Sequence, residues 1–300
     1  MTGWLGRRHL PAMVLAGALL GEALLLGFYA NRLWFLGGDD WDFLLKRGTI
    51  SGYDRGLFAP HEDHWSTGVV LVMKILFWSF GIRTYLPYGL VVIVLHAAIC
   101  GLIYVGLCRA ECDRWIALWT VLLVAFLGTG AQAFLWDTSM GLLFSMAFGL
   151  VAMLVVEREF RSSVMIQFFL TMGLMFSGLG LVMVLTVSVS LVMRRGRRDA
   201  TEILWPVIAI YAIWYASFGW KGRISEVSSP WDVLGAPRRV WEHIDATLSG
   251  ALHLPGAGGL VFVAIVVHLC VWQSGPAALR RWSLAGLAGG LSQLLLATLT

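Results

Sequence analysis

Six carboxylates and two histidines crowd into one stretch of this chain, residues 37–65, which reads GGDDWDFLLKRGTISGYDRGLFAPHEDHW. They are Asp39, Asp40, Asp42, Asp54, Glu62, Asp63, His61 and His64. Adjacent carboxylates such as Asp39 and Asp40 can do three things. One can act as a general base while the other positions it. The two can hold a divalent cation such as Mg or Mn. Either can cap a helix starting near Trp41. In HEDHW the histidines are three apart, not the four of HExxH, so a zincin site is excluded. His61 and His64 can still share a helix face, where they could bind a metal, hydrogen-bond a phosphate or cap a helix.

Cations accompany these acids. Lys46 and Arg55 lie in the same stretch, and a second polar stretch, 219–255, carries Lys221, Arg223, Arg238 and Arg239 with Glu226, Asp232, Glu242, His243 and Asp245. Such groups can neutralise a phosphate or extend toward lipid headgroups. Trp41, Tyr53, Trp65, Trp136, Trp220, Trp231 and Trp241 flank both stretches. Tryptophan belts at membrane interfaces account for most of them. Trp41, beside the carboxylates, is the one read as a stacking platform.

The elements that must position these groups are apolar. The 300 residues are 58% apolar and only 13% charged, with a mean hydropathy of +0.77. A soluble domain of this length could not cover so much apolar surface. The apolar runs are continuous rather than alternating, which excludes a β-barrel. The expectation is an all-α, polytopic membrane protein forming a single domain over 1–300, with spans near 11–36, 86–107, 115–134, 140–156, 164–177, 180–193, 203–218, 258–272 and 282–300. Outer loops would cover 37–85 and 219–255. The net charge of +4 resides in short basic clusters at span ends, so no nucleic-acid partner is expected. Cys100, Cys108, Cys112 and Cys270 form no disulfide framework and read as packing residues.

Arg7 and Arg8 precede the first run and set its N-terminus inside, as an uncleaved span. Glu22 falls within it and reads as a hydrogen-bonded group facing the bundle. The segment 65–80 is short for a span and carries Lys74, so it reads as a helix lying in the interface between Trp65 and Trp78. The 30 apolar residues 164–193, with FSGLGL in their middle, read as a hairpin of two short helices. Arginine clusters at 7–8, 109/114, 158/161, 194–198 and 280–281 then share the cytoplasmic side, and both acidic stretches lie outside. The final run stops at Thr300 without a polar tail, so the natural protein is expected to continue.

The succession GGDDWDFLL, LFAPHEDHW, FWSFGIRTYLPYGL and GLIYVGLCR resembles the GT-C superfamily of membrane glycosyltransferases, in particular its protein mannosyltransferase-like and actinobacterial arabinosyltransferase-like members. The resemblance covers about residues 10–220, with FSGLGL and the end of the 214–219 segment weaker parts of it. It implies a GT-C-like bundle whose first extracytoplasmic loop is catalytic. The donor would be a polyprenyl-phosphate-linked sugar in the bilayer, and the acceptor an extracytoplasmic glycan, lipid or protein, as in cell-envelope assembly. Asp39 and Asp40 inherit the proposed base role. The sequence departs from the mannosyltransferase-like members in having Asp-Asp for Asp-Glu and HEDH for a His-Pro segment, which leaves sugar, acceptor and metal open. Trp41, His61, Glu62, His64, Trp65, Arg55, Lys221 and Arg223 are the candidate substrate-binding residues. A transporter or flippase of a lipid-linked sugar, or an inactive assembly partner, are the rival readings. Of the ionisable residues, Glu22, His96 and His268 lie within spans, and no internal repeat of the kind transporters show is visible.

Overall fold

The computed structural model describes residues 2–35, 38–62, 64–126, 139–158, 162–222, 230–271 and 275–299, the side chains of 2–8, 230–234, 251–252, 270 and 296–299 excepted. Among the described residues the chain is 80% helix and has no strand. The helices are α1 (Thr2–Ala30), α2 (Gly38–Leu45), α3 (Thr67–Phe80), α4 (Leu86–Arg109), α5 (Arg114–Ala125), α6 (Met140–Val156), α7 (Ser163–Leu174), α8 (Leu179–Arg195), α9 (Arg197–Ser217), α10 (Pro230–Leu252), α11 (Gly258–Val271) and α12 (Ala277–Leu299), with a short 3₁₀ turn, Gly219–Gly222, after α9.

Among the described residues, three helical segments are long and apolar enough to cross a membrane: His9–Ala30, Leu86–Arg109 and Arg197–Ser217. The 24 residues of α4 rise about 36 Å at about 1.5 Å each, enough for a hydrocarbon core of about 30 Å. The 14 residues of α3 rise only about 21 Å. One face of α3 is buried through Val69, Val70, Met73 and Leu76, while Leu71, Ile75 and Trp78 are exposed. Lys74 approaches Asp54 to 3.9 Å.

The apolar stretch 164–193 is divided into α7 and α8 by a break at 175–178. Carbonyls freed by such a break must find partners inside the protein. Gly68 N donates to Met175 O at 2.8 Å, and Ser145 Oγ donates to Gly173 O at 2.7 Å. A β-carbon at Gly180 would stand 2.6 Å from Gly173 O, so the two helix ends meet only because that residue is glycine.

Two regions depart from the sequence expectations. The first acidic stretch, expected as part of an outer loop, is helical over Gly38–Leu45. Asp39 and Asp40 thus sit in the first turn, where negative charge complements the helix N-terminus. The second polar stretch is mostly helix, α10, and not an open loop. Asp245 Oδ1 and Ser249 Oγ accept from Gly259 N and Gly258 N at 2.7 and 2.9 Å and so cap α11. Residues 127–138, including the end of the 115–134 run and Trp136, lie outside the described residues.

Two polar locks hold the bundle. Glu22 Oε1 of α1 and His96 Nε2 of α4 lie 3.2 Å apart in the apolar interior. At the other, arginine-rich end, Glu157 accepts from Arg281 Nη2 at 2.7 Å and from Arg194 Nη1 at 3.2 Å, joining the ends of α6, α8 and α12. Three of the arginine clusters therefore share one end of the bundle.

Candidate active site

The polar stretch after α1 is held by one side chain. Arg47 is 1% exposed and donates from Nη1 to Gly56 O at 3.0 Å and Ala59 O at 2.9 Å, and from Nη2 to Pro60 O at 2.9 Å. Burial and the nearby Arg55 push its pKa below the ordinary arginine value, with Asp54 and Asp42 opposing. Hydrogen bonds to charged groups contribute about 1.5–3 kcal/mol each, so this fork fixes the course of residues 56–60. Beyond it, His61 and His64 exchange backbone hydrogen bonds of 3.1 and 3.0 Å. Glu62 stands in that tight turn with φ 53°.

Two other parts of the chain clamp the loop. Trp214, near the end of α9, stacks on Trp65 with centroids 5.2 Å apart and planes within 4°, and its Nε1 donates to Phe58 O at 2.9 Å. The 3₁₀ turn that follows lies so close that a β-carbon at Gly222 would collide with Glu62 O and Pro60. That approach carries Lys221 to the loop. On the opposite side, a β-carbon at Gly178 would stand 2.9 Å from the His64 ring, so the α7–α8 break abuts the loop there.

Asp39 lies at the centre of what results. Its Oδ1 is 3.6 Å from His61 Nε2, and the His61 ring packs at a tilt of 36° against Phe43, with centroids 4.5 Å apart. Burial pushes the His61 pKa below its ordinary value, against Asp39 and Glu62, which pull it up. Asp39, His61 and Glu62 form a wall shared by two cavities. The outer is a cleft of about 650 Å³, lined also by Asp42, Lys46, Tyr53, Arg55 and Lys221, a size typical of ligand sites. The inner is a chamber of about 220 Å³ reaching His64, Ser66, Ser139, Leu142, Phe176 and Ser177. Lys46 is partly neutralised by Asp42 at 2.5 Å.

The fold thus brings Asp39, His61, Glu62, His64, Arg55 and Lys221 to one place. It puts Asp40 elsewhere: that carboxylate is 0% exposed and lines neither cavity. Trp65 is buried against Trp214 and hydrogen-bonds Thr67 Oγ1 at 2.8 Å. Trp41 packs at 5.9 Å from Phe35 in the apolar cluster beneath α2. Arg238 pairs with Glu242 at 2.7 Å on the exposed face of α10. Arg223 and Asp63 lie outside the described residues. Among the described residues no three His, Cys, Asp or Glu side chains are grouped to hold a metal ion. Sequence reasoning missed Arg47, whose flanking Gly48 has φ 65°, and the serines of the inner chamber, which nothing in their spacing marks.

Comparison with known proteins gives no match, whether to a family model, a curated protein or a solved structure.

Proposed function

We propose that this chain is a membrane glycosyltransferase of GT-C-like architecture, moving a sugar from a polyprenyl-phosphate donor to an extracytoplasmic acceptor with Asp39 as base. The observation that carries the reading is the position of Asp39 in the wall between a cation-lined cleft and a hydroxyl-lined chamber. A phosphodiester donor leaves as a phosphate that needs no protonation. What the reaction requires is fixed positive charge for that leaving group and a carboxylate for the acceptor proton. Lys221, Arg55 and Lys46 supply the first and Asp39 the second. Neutral His61, held by Phe43, orients the carboxylate without cancelling its charge. Arg47 sets the backbone on which these groups stand.

The arginine-rich end would face the cytoplasm and the loop the outside, with α1, α4 and α9 among the helices that cross the membrane. An impermeant thiol reagent should label a cysteine placed at position 54 in intact cells. Labelling only after permeabilisation would reverse this orientation.

The test of function is transfer from a panel of radiolabelled polyprenyl-phosphate sugars by purified protein in lipid nanodiscs. Asp39→Asn should lower turnover by about 10²–10⁴-fold, the range of general-base catalysis, with donor binding retained. Full turnover in that variant would remove the proposed base. Donor binding without turnover by the wild type would favour a transporter of lipid-linked sugars.

A further inference from the structure

The inner chamber contains a group the reading above leaves unused. Ser66, 3% exposed, lines the chamber, and its buried Oγ has no hydrogen-bond partner among the described residues. A buried hydroxyl left unpaired costs about 1–3 kcal/mol, a cost a bound ligand would relieve. Around it stand the Ser139 and Ser177 hydroxyls and the His64 ring, over an apolar floor of Phe43, Val69, Leu142 and Phe176. Among the described residues, the formal charges on the chamber belong to Asp39 and Glu62, in its shared wall, and no Lys or Arg lines it. That combination repels phosphates and carboxylates and suits a neutral ring with hydroxyls on its rim and an apolar face. At about 30 Å³ per water the chamber holds about seven waters, which is room for one sugar ring and not two.

We infer that this chamber is the acceptor subsite, and that the acceptor is the terminal neutral monosaccharide of a glycan or glycolipid. The inference rests on the glycosyltransferase reading and adds direction to it. Lys221, Arg55 and Lys46 draw the donor phosphate into the outer cleft. In an in-line displacement the nucleophile approaches from the side opposite the leaving group, and across the Asp39 wall that side is the inner chamber. The acceptor oxygen forms its bond to the anomeric carbon as the bond from that carbon to the phosphate oxygen breaks. The electron pair leaves with the phosphate, the acceptor proton passes to the Asp39 carboxylate, and the new glycoside has inverted configuration. Ser66 is a specificity-determining residue for the acceptor ring.

The test is saturation-transfer NMR with nanodisc-embedded full chain and a panel of neutral methyl glycosides, beside a methyl uronate of the same ring size. Wild type should bind at least one neutral glycoside and not the uronate. Ser66→Ala, which removes only the hydroxyl, should weaken that binding roughly tenfold, as expected when a buried polar partner is lost. Ser66→Leu, which fills the chamber, should abolish it. Saturating polyprenyl phosphate should leave the glycoside bound, because the two occupy different cavities. Displacement by polyprenyl phosphate, binding indifferent to both Ser66 variants, preference for the uronate, or no glycoside bound by wild type would each overturn the inference. The readout needs no turnover, so loss of the catalytic reading through Asp39→Asn would leave the chamber's result standing by itself.

Discussion

The two ends of the bundle treat charge in opposite ways. At the arginine-rich end, Glu157 is almost buried and accepts from both Arg194 and Arg281 at 2.7–3.2 Å. Arg194 also donates to Val156 O. Charge there is spent on joining α6, α8 and α12. At the loop end, Asp39 approaches its histidine only to 3.6 Å, Lys221 and Arg55 are exposed, and, the Asp42–Lys46 pair apart, the charges line open cavities rather than close on one another. What is fixed at that end is the backbone, by Arg47, Trp214 and the glycine approaches. A carboxylate locked by two arginines is a poor base; one held on a rigid loop beside a neutral imidazole is free to take a proton. The difference marks one end as structural and the other as the candidate site.

The largest effect is expected where the loop end uses charge structurally. Arg47→Met keeps the apolar stem and removes three hydrogen bonds of about 1.5–3 kcal/mol each. Residues 46–62 should lose hydrogen-exchange protection and transfer should be abolished, while α6, α8 and α12 stay protected. Retained protection across 56–60 would show that the fork does not set the loop. At the opposite end, Glu157→Leu leaves two arginines without their shared acceptor. Breaking a buried pair costs up to about 3–5 kcal/mol, and the partial exposure of Arg194 and Arg281 puts this one at about 3 kcal/mol or less. Thermal unfolding in nanodiscs should show the loss, with the KM for donor unchanged. A raised KM would mean that the two ends are coupled and that the comparison is too sharp.

Much of this contrast is written in the sequence, though unevenly. Apolar runs of more than 20 residues, 11–36 and 86–107, mark α1 and α4, because the hydrocarbon core demands that length, whereas α9 joins a shorter apolar run, 203–218, to a polar first turn. FSGLGL marks the α7–α8 break because Gly180 meets the Gly173 carbonyl directly. The density of carboxylates points to the loop that lines the two cavities, Asp39 among its lining residues. Beyond that, residue type misleads. Asp39 and Asp40 are chemically alike and adjacent, but successive helical positions point about 100° apart. One lines the cavities and the other is buried. Trp41 reads as an aromatic platform and Trp65 as an interface anchor and substrate-binding candidate, yet both pack against other rings, Phe35 and Trp214, since such a contact serves an apolar ring as well as a ligand would. Arg47 reads as one more surface cation. Its role depends on three carbonyls 9 to 13 residues onward, a match that only the folded loop reveals. The Ser66 chamber is likewise made by the approach of α6 and the α7–α8 break, which no local pattern encodes.

The smallest expected effect separates the two ends by pH. His61 is buried enough to lower its pKa from the ordinary 6.5, with Asp39, Glu62 and Asp42 opposing and Arg47 assisting. Between the depressed folded value and 6.5 the unfolded chain binds more protons at this position than the folded one, so stability rises with pH. The contribution is complete above about pH 6.5 and is lost as pH falls through the folded pKa. No histidine takes part in the Glu157 lock. His61→Phe preserves the packing against Phe43 and removes the titration. Wild type and variant should therefore unfold with a constant difference in Tm from pH 8 down to about pH 6.5. Below that, the wild type should fall more steeply. Adding Glu157→Leu to both proteins should lower the two curves together without changing their divergence, because distant sites act independently. Parallel curves into the acid range would show that His61 is no more buried in the folded loop than in the unfolded chain. The neutral partner assigned to Asp39 would then be lost, and the loop end would have to be read as another set of closed ion pairs.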